Sequence, residues 1–271
     1  MKPRPRCHRW LRGVLGAVAL LGPGVAGALS VTVAPGSVDL VVPAGSSEQV
    51  AIEVGNGGPA PLEVHGYLFD WWHEDGQQVF PPPGSVERSA ALWSSLLPQR
   101  LTLEPETRDQ LTLVVAPPPD AEGGYFAVVW VDASAARDPA APSTPSVGLA
   151  GRIGVLVAVR IQGTGTDTLA MNGIEVLPPT ASTPLGIHAR VRNDGDVHQN
   201  PELRALVVDP AGTTHAKLEG RRNMVLPGEE AVIESQWGGE LQNGAYTALV
   251  TVVYGEGEAV TAEHRFTVQN P

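Results

Sequence analysis

Beyond residue 28 the chain is written in short alternating runs. "VTVAP", "VDLVV", "EQVAIEV", "LEVHGYLF", "RLTLE", "DQLTLVV" and "GGYFAVVWV" follow one another, parted by Gly, Pro, Asn and Asp. In an extended chain, successive side chains point to opposite faces, so alternation gives each run one apolar and one polar face. Helical periodicity is nearly absent. The runs are rich in β-branched residues, and the 31 glycines and 25 prolines suit the turns and edges of an antiparallel sandwich. The sequence therefore predicts an all-β protein. A single short helical turn or an irregular strand is expected in "SAALWSSLL", Ser89 to Leu97.

The pattern occurs twice. "VAIEVGNGGPAPLEVHGYLFDWWHEDG" (Val50 to Gly76) and "IHARVRNDGDVHQNPELRALVVDPAG" (Ile187 to Gly212) both read as an apolar strand, an Asn-X-Gly turn, a second strand and an acidic turn. "GGYFAVVWV" (Gly123 to Val131) answers "GAYTALVTV" (Gly244 to Val252), with Tyr125 and Tyr246 in the same place. The first copy is longer, and its excess is placed in "PPPGSVERSAALWSSLLP". A unit used twice predicts two tandem immunoglobulin-like antiparallel β-sandwiches, over 29–162 and 163–271. The seam falls in "QGTGTD", Gln162 to Asp167, and a mobile loop is expected at "ASAARDPAAPSTPS", Ala133 to Ser146.

Residues 1–28 are expected to be a cleaved signal peptide. Lys2, Arg4, Arg6, Arg9 and Arg12 precede the apolar run Gly13 to Ala28, which ends in Ala26-Gly27-Ala28. Cys7, the chain's one cysteine, lies ahead of that run, so the mature chain is held by its core without disulfides. The five leader cations belong to a formal balance of −11, which leaves the mature chain near −16 with a single lysine, Lys217. Such a chain repels phosphate backbones and anionic lipid heads, so neither nucleic acid nor an inserted membrane is expected as a partner. The destination is the periplasm or the surface of a bacterium.

Enzyme machinery is missing from the sequence. The mature chain offers no cysteine nucleophile, no Gly-X-Ser-X-Gly elbow and no phosphate-cradling loop, and "HEDGQ" lacks a second histidine four residues on. Asp194, Asp196 and His198 alternate and would share one face of a strand, as metal ligands do. The first copy has Gly57, Pro59 and Pro61 there, so only the turn is common to both. Asparagine and glycine tolerate positive φ, which makes backbone geometry the shared element and leaves the carboxylates as solvated surface. No metal and no cofactor is expected. Trp71, Trp72 and Trp93 crowd domain one. Adjacent Trp71 and Trp72 point to opposite faces if their strand continues, so one fills a core and the other is free for a surface.

These features together resemble the PapD-like family of bacterial periplasmic pilus-assembly chaperones. The carrying stretches are "VAPGSVDLVVPAG", the "VGNGG" turn, "RLTLEPETRDQLTLVV", "PPPDAEGGYFAVVWVDA" and "VGLAGRIGVLVAVRI". A more distant likeness is to bacterial surface proteins that accompany WxL-domain proteins. The resemblance implies that the last strand of domain one pairs with an exported subunit and lends it alternating apolar residues. Here those are Val147, Leu149, Ile153, Val155, Val157, Val159 and Ile161. The resemblance also implies two basic residues that hold a subunit's terminal carboxylate. Gly36 and Ser37 stand at the first of those positions, Arg152 is the nearest base in the last strand, and Gly154 stands at the second. The resulting expectation is an exported binding module, not an enzyme, that captures a pilin-like or surface subunit by strand pairing. Its alternative is an envelope or cell-surface module that binds a glycan or protein through Trp71, Trp72 or Trp93.

Overall fold

A computed structural model describes residues 29–74, 76–136, 150–180, 182–222 and 224–269. The expected leader, Val147, Leu149 and most of the expected loop lie outside the described residues. Every alternating run becomes a strand. The first set is β1 (Val31–Ala34), β2 (Ser37–Val42), β3 (Glu48–Asn56), β4 (Leu62–Phe69), β5 (Trp72–Glu74), β6 (Gln77–Val79), β7 (Ser94–Leu97), β8 (Arg100–Leu103), β9 (Arg108–Val115), β10 (Gly124–Ala135) and β11 (Ala150–Ile161). The second is β12 (Leu169–Leu177), β13 (Leu185–Asn193), β14 (Glu202–Val208), β15 (Thr214–Arg221), β16 (Glu230–Trp237), β17 (Gly244–Tyr254) and β18 (Glu258–Val268). Ser89 to Leu97 holds both expected forms, a 3-10 turn at Ala91–Trp93 and then β7.

Each set closes into two facing sheets, the tandem immunoglobulin-like arrangement, with β5 and β6 of the first set paired apart as a two-stranded ribbon. In the first sandwich β1-β3-β9-β7 faces β2-β11-β10-β4-β8, and in the second β12-β13-β16 faces β15-β14-β17-β18. One parity of every strand fills the space between. In β11 that parity is Val155, Val157, Val159 and Ile161, all fully buried with Ile52, Leu111, Leu113 and Val129. The second sandwich buries Ile187, Val191, Leu203, Val207, Ile233, Ala248 and Val252 in the same way. Each such Val, Leu or Ile side chain contributes roughly 1.5–3 kcal/mol over its exposed state. The first three residues of the expected loop are strand instead. Ala133 and Ser134 pair with both β4 and β11 and Ala135 with β4, and Ala133 faces the core. Small residues that are poor formers of surface order still hold a strand when flanked on both sides.

The duplicated turn is the same device in both copies. The Asn56 Nδ2 donates to the Ala60 carbonyl at 2.8 Å and to Leu103 at 3.1 Å, and its Oδ1 accepts from the Gly58 amide at 2.9 Å. The Asn193 Nδ2 donates to Val197 at 2.8 Å and to Val225 at 2.9 Å, and its Oδ1 accepts from Gly195 at 3.0 Å. Both side chains are buried. Positive φ is not the reason for the shared asparagine, because neither Asn56 nor Asn193 adopts it. The asparagine is needed because one buried planar amide satisfies carbonyls from two separate segments and an amide two residues on. Tyr246 completes the likeness to immunoglobulin domains, its hydroxyl donating to the Gln242 carbonyl at 3.0 Å before β17.

Candidate functional site

The chain enters the first sandwich by changing sheets. β1 pairs antiparallel with β3, and beyond Pro35 and Gly36 the chain crosses to run as β2, parallel to β11. That pairing covers only Leu156 to Ile161 of β11. On its other side β11 is paired with β10 along its whole length, from Ala150 to Arg160. The direction of the free groups follows from two bonds. The Leu156 amide donates to Gly36 and the Gln162 amide to Val42, so even-numbered residues aim their backbone toward β2. At residues 150, 152 and 154 the same groups aim past the start of β2, where no strand among the described residues meets them. Among the described residues, six of this twelve-residue strand thus form an open sheet edge.

On the outer face of this sheet one row crosses four strands, Arg100 of β8, His65 of β4, Asp132 of β10 and Arg152 of β11. An open groove of about 750 Å3 runs along it and reaches the free edge at Ala150, Gly151 and Arg152. Arg152 holds Asp132 with two parallel bonds, Nε to Oδ1 at 2.7 Å and Nη2 to Oδ2 at 3.0 Å. Its guanidinium also lies over the rings of Tyr67 and Trp130, 5.7 and 5.6 Å from their centroids. The Arg152 bonds keep the Asp132 carboxyl below its ordinary range, and Asp132 in turn raises the arginine. Burial, then the bond to Asp132, pushes the Tyr67 phenol up. Arg152 is therefore a fixed cation at the edge. It is not a mobile one.

Toward the second sandwich the same face turns aromatic and closes. Trp71, Phe126, Val128 and Ala158 are buried together with Leu226 of the second sandwich, and Phe69, Trp72, Phe80, Trp130, Leu156 and Met224 surround them. Four rings stand edge to face in a chain, His73 to Trp71 at 5.9 Å, Trp71 to Phe126 at 6.0 Å and Phe126 to His198 at 6.1 Å. Each terminal imidazole meets a carboxylate of the other sandwich. His73 Nδ1 lies 2.7 Å from Glu229 Oε2, and His198 Nε2 lies 2.9 Å from Asp39 Oδ2.

Several expected site residues take other places. Trp71, expected on a surface or in a sandwich core, is fully buried in this joint, with Trp72 against the same cluster. The strand does not continue through them, since β4 ends at Phe69 and β5 starts at Trp72, so the opposite-face rule has no hold there. Trp93 packs on the first core and on Tyr125, with ring centroids 5.4 Å apart. Val155 and Val157 point into their own sandwich, while Ile153 is partly exposed beside the open edge. A side chain at Gly154 would run into the Trp130 ring, which explains the glycine where a base was sought.

Asp194 is solvated surface as expected, but Asp196 to His198 are not. Asp194 is paired outside with Arg192 at 3.1 Å. The Asp196 side chain accepts from the Thr166 amide of the linker, and its carbonyl accepts from Gly124 at 2.9 Å. A base that sequence reading passed over, Arg160, sits at this end of β11 and is bonded to Asp167 through both nitrogens of its fork. Asp167 also accepts from Gln199 at 2.7 Å. Burial acts to raise the Asp167 carboxyl, but the Arg160 and Gln199 bonds outweigh it and hold the group below its ordinary range. With Arg160 occupied and Asp39 beside it on β2, this end of the strand offers no free cation pair for a carboxylate. The outward parity of Arg160 and Asp39 next to the seam was the signal available in the sequence. Among the described residues, no three His, Cys, Asp or Glu side chains are grouped to hold a metal ion.

No protein-family model matches the chain, and no curated protein matches its sequence. Solved structures do resemble it. The class 5 fimbriae chaperone CfaA is 11% identical with a TM-score of 0.43, covering 86% of this chain and 98% of that one. A structure of the Salmonella enterica SafA pilin in complex with the SafB chaperone gives 15% identity and a TM-score of 0.40, over 89% of this chain and 97% of that one. The CsuC-CsuE chaperone-tip subunit complex of Acinetobacter baumannii gives 12% and 0.40, over 86% and 97%.

Proposed function

We propose that this chain is an exported, non-enzymatic assembly factor of the chaperone type, which binds an exported protein subunit by adding one of its strands to β11. The observation that carries this reading is the open edge at Ala150 to Val155. Unpaired amides and carbonyls on a rigid strand are a template for an extended segment, and main-chain bonds supply affinity without demanding one sequence. The fixed Arg152 and the groove behind it would meet the side chains that such a segment turns outward. Val155 and Val157 serve as the core support of that edge. The compartment that fits a leader-bearing, disulfide-free binding protein is the periplasm.

Proline at an edge position tests this, because a proline whose nitrogen faces outward removes a donor without breaking the β10 ladder. Wild-type chain, Arg152→Ala and Arg152→Pro are each purified from the native envelope with whatever subunit they carry, and their thermal unfolding is recorded. Wild type and Arg152→Ala are expected to retain a subunit that Arg152→Pro loses, at similar unfolding temperatures. An Arg152→Pro protein that keeps its full complement of subunit would overturn strand addition at this edge.

A further inference from the structure

Asn followed by Gly occurs three times, at Asn56-Gly57, Asn172-Gly173 and Asn243-Gly244. The dipeptide is chemically labile, since glycine offers no side chain to hinder its nitrogen from reaching the asparagine amide carbon. The fold treats the first two in opposite ways. Asn56 is buried, both ends of its side-chain amide are bonded, and the attacking nitrogen, that of Gly57, donates to the Ser30 carbonyl at 2.9 Å. Asn243, in the third, also takes part in an interaction.

Asn172 lacks the burial and the side-chain bonds that protect Asn56. It lies in β12, at the edge of its sheet, where the register slips between Met171 and Gly173 so that Asn172 has no partner on β13. Such a bulge leaves its extra residue outside the ladder and loosens the backbone beside it. Asn172 and Gly173 are both exposed, and the side chain of Asn172 makes no hydrogen bond within the described residues. Gly173 stands opposite Arg190 in the ladder, and nothing lies within 4 Å of where a Gly173 side chain would begin, so no side chain crowds this face of the bulge.

We propose that Asn172 is a self-modification site, where the chain deamidates spontaneously in its folded state. The Gly173 backbone nitrogen attacks the Asn172 side-chain carbonyl carbon and gives up its proton. Nδ2 takes up a proton and leaves as ammonia, which closes a succinimide ring. Water then opens the ring at either carbonyl, to aspartate or to isoaspartate, with no oxidant, reductant or enzyme involved. Each event adds one negative charge. The isoaspartate product also places an extra carbon in the backbone of β12, a few residues after the linker that joins the two sandwiches.

The test is to hold the purified, folded chain at mildly alkaline pH and to follow each Asn-Gly by peptide mass spectrometry, with ion exchange reporting intact charge. A denatured sample runs alongside. The folded chain is expected to convert Asn172 to a mixture rich in isoaspartate, on the order of tenfold or more faster than Asn56, whose reaction must wait for local opening. In denaturant the two should react alike, and an Asn172→Gln chain should lack the main acidic species. Asn172 staying intact in the folded chain while reacting in denaturant would overturn the proposal. So would equal rates at Asn172 and Asn56 in the folded state.

Discussion

The outer faces of β10 and β17 occupy the same place in their two sandwiches and carry opposite kinds of side chain. Along β10 they are Phe126, Val128, Trp130, Asp132 and Ser134, buried at one end and polar at the other. Along β17 they are Thr247, Leu249, Thr251 and Val253, all partly exposed. The neighbours of β17 complete a chequerboard of charge, in which Glu202 pairs with Arg221 at 2.6 Å and with Arg204 at 3.3 Å. One repeated unit has thus been given a second apolar face in its first copy only. The inner faces, which must close each core, stayed alike. The outer faces diverged because one had to receive the other sandwich, and only a face that is apolar on both sides can hold two cores at once.

That contrast can be broken at its strongest point. Trp71→Ala removes the ring at the centre of the joint and should cost about 3–5 kcal/mol, as large core truncations do. Leu249→Ala on the corresponding face of β17 should cost less than about 1 kcal/mol. Chemical denaturation of both variants measures the pair, and equal losses would mean that the joint carries no special load. The likeness of the two copies is sharpened next. Asn56→Ala and Asn193→Ala each remove a buried amide that serves two or more carbonyls, so each should cost about 2–3 kcal/mol and by similar amounts. Unequal losses would show that the two turns share a shape without sharing a role.

The smallest effect concerns acid. In the folded chain the Asp167 carboxyl lies below its ordinary range, and in the unfolded chain it returns there. A depressed group contributes stability that is fully present above the ordinary carboxylate value of about 4 and is lost as pH falls through the folded value. Asp167→Asn should therefore lower stability by about 1–2 kcal/mol near neutral pH, with the gap to wild type closing below about pH 4. Unfolding curves over that range decide it, and a gap that stays constant into acid would remove the ion pair with Arg160 as its cause.

Arg152 and Trp71 show why the site was less legible than the fold. Period-two alternation is a local property, so it marked Val155, Val157 and Val159 as one face of one strand without saying what that face meets. A tryptophan beside another tryptophan gave two faces only while the strand was assumed to run on, and the break at Asp70 removed that assumption. There Asp70 is fully buried and accepts from the amides of Ser85 and Val86, turning the chain over its own sheet. No short-range pattern announces such a turn.

By itself the sequence determined the strands, their apolar parity, the doubled unit and the asparagine turn, because each depends on residues a few positions apart. Tertiary structure alone decided that β2 begins only opposite Leu156, that Asp196 and His198 clasp the first sandwich, and that Arg160 is already occupied. Those outcomes depend on residues far apart in the chain, Asp39 with His198 or His73 with Glu229, whose meeting is fixed by how two finished sandwiches dock and by the burial they share.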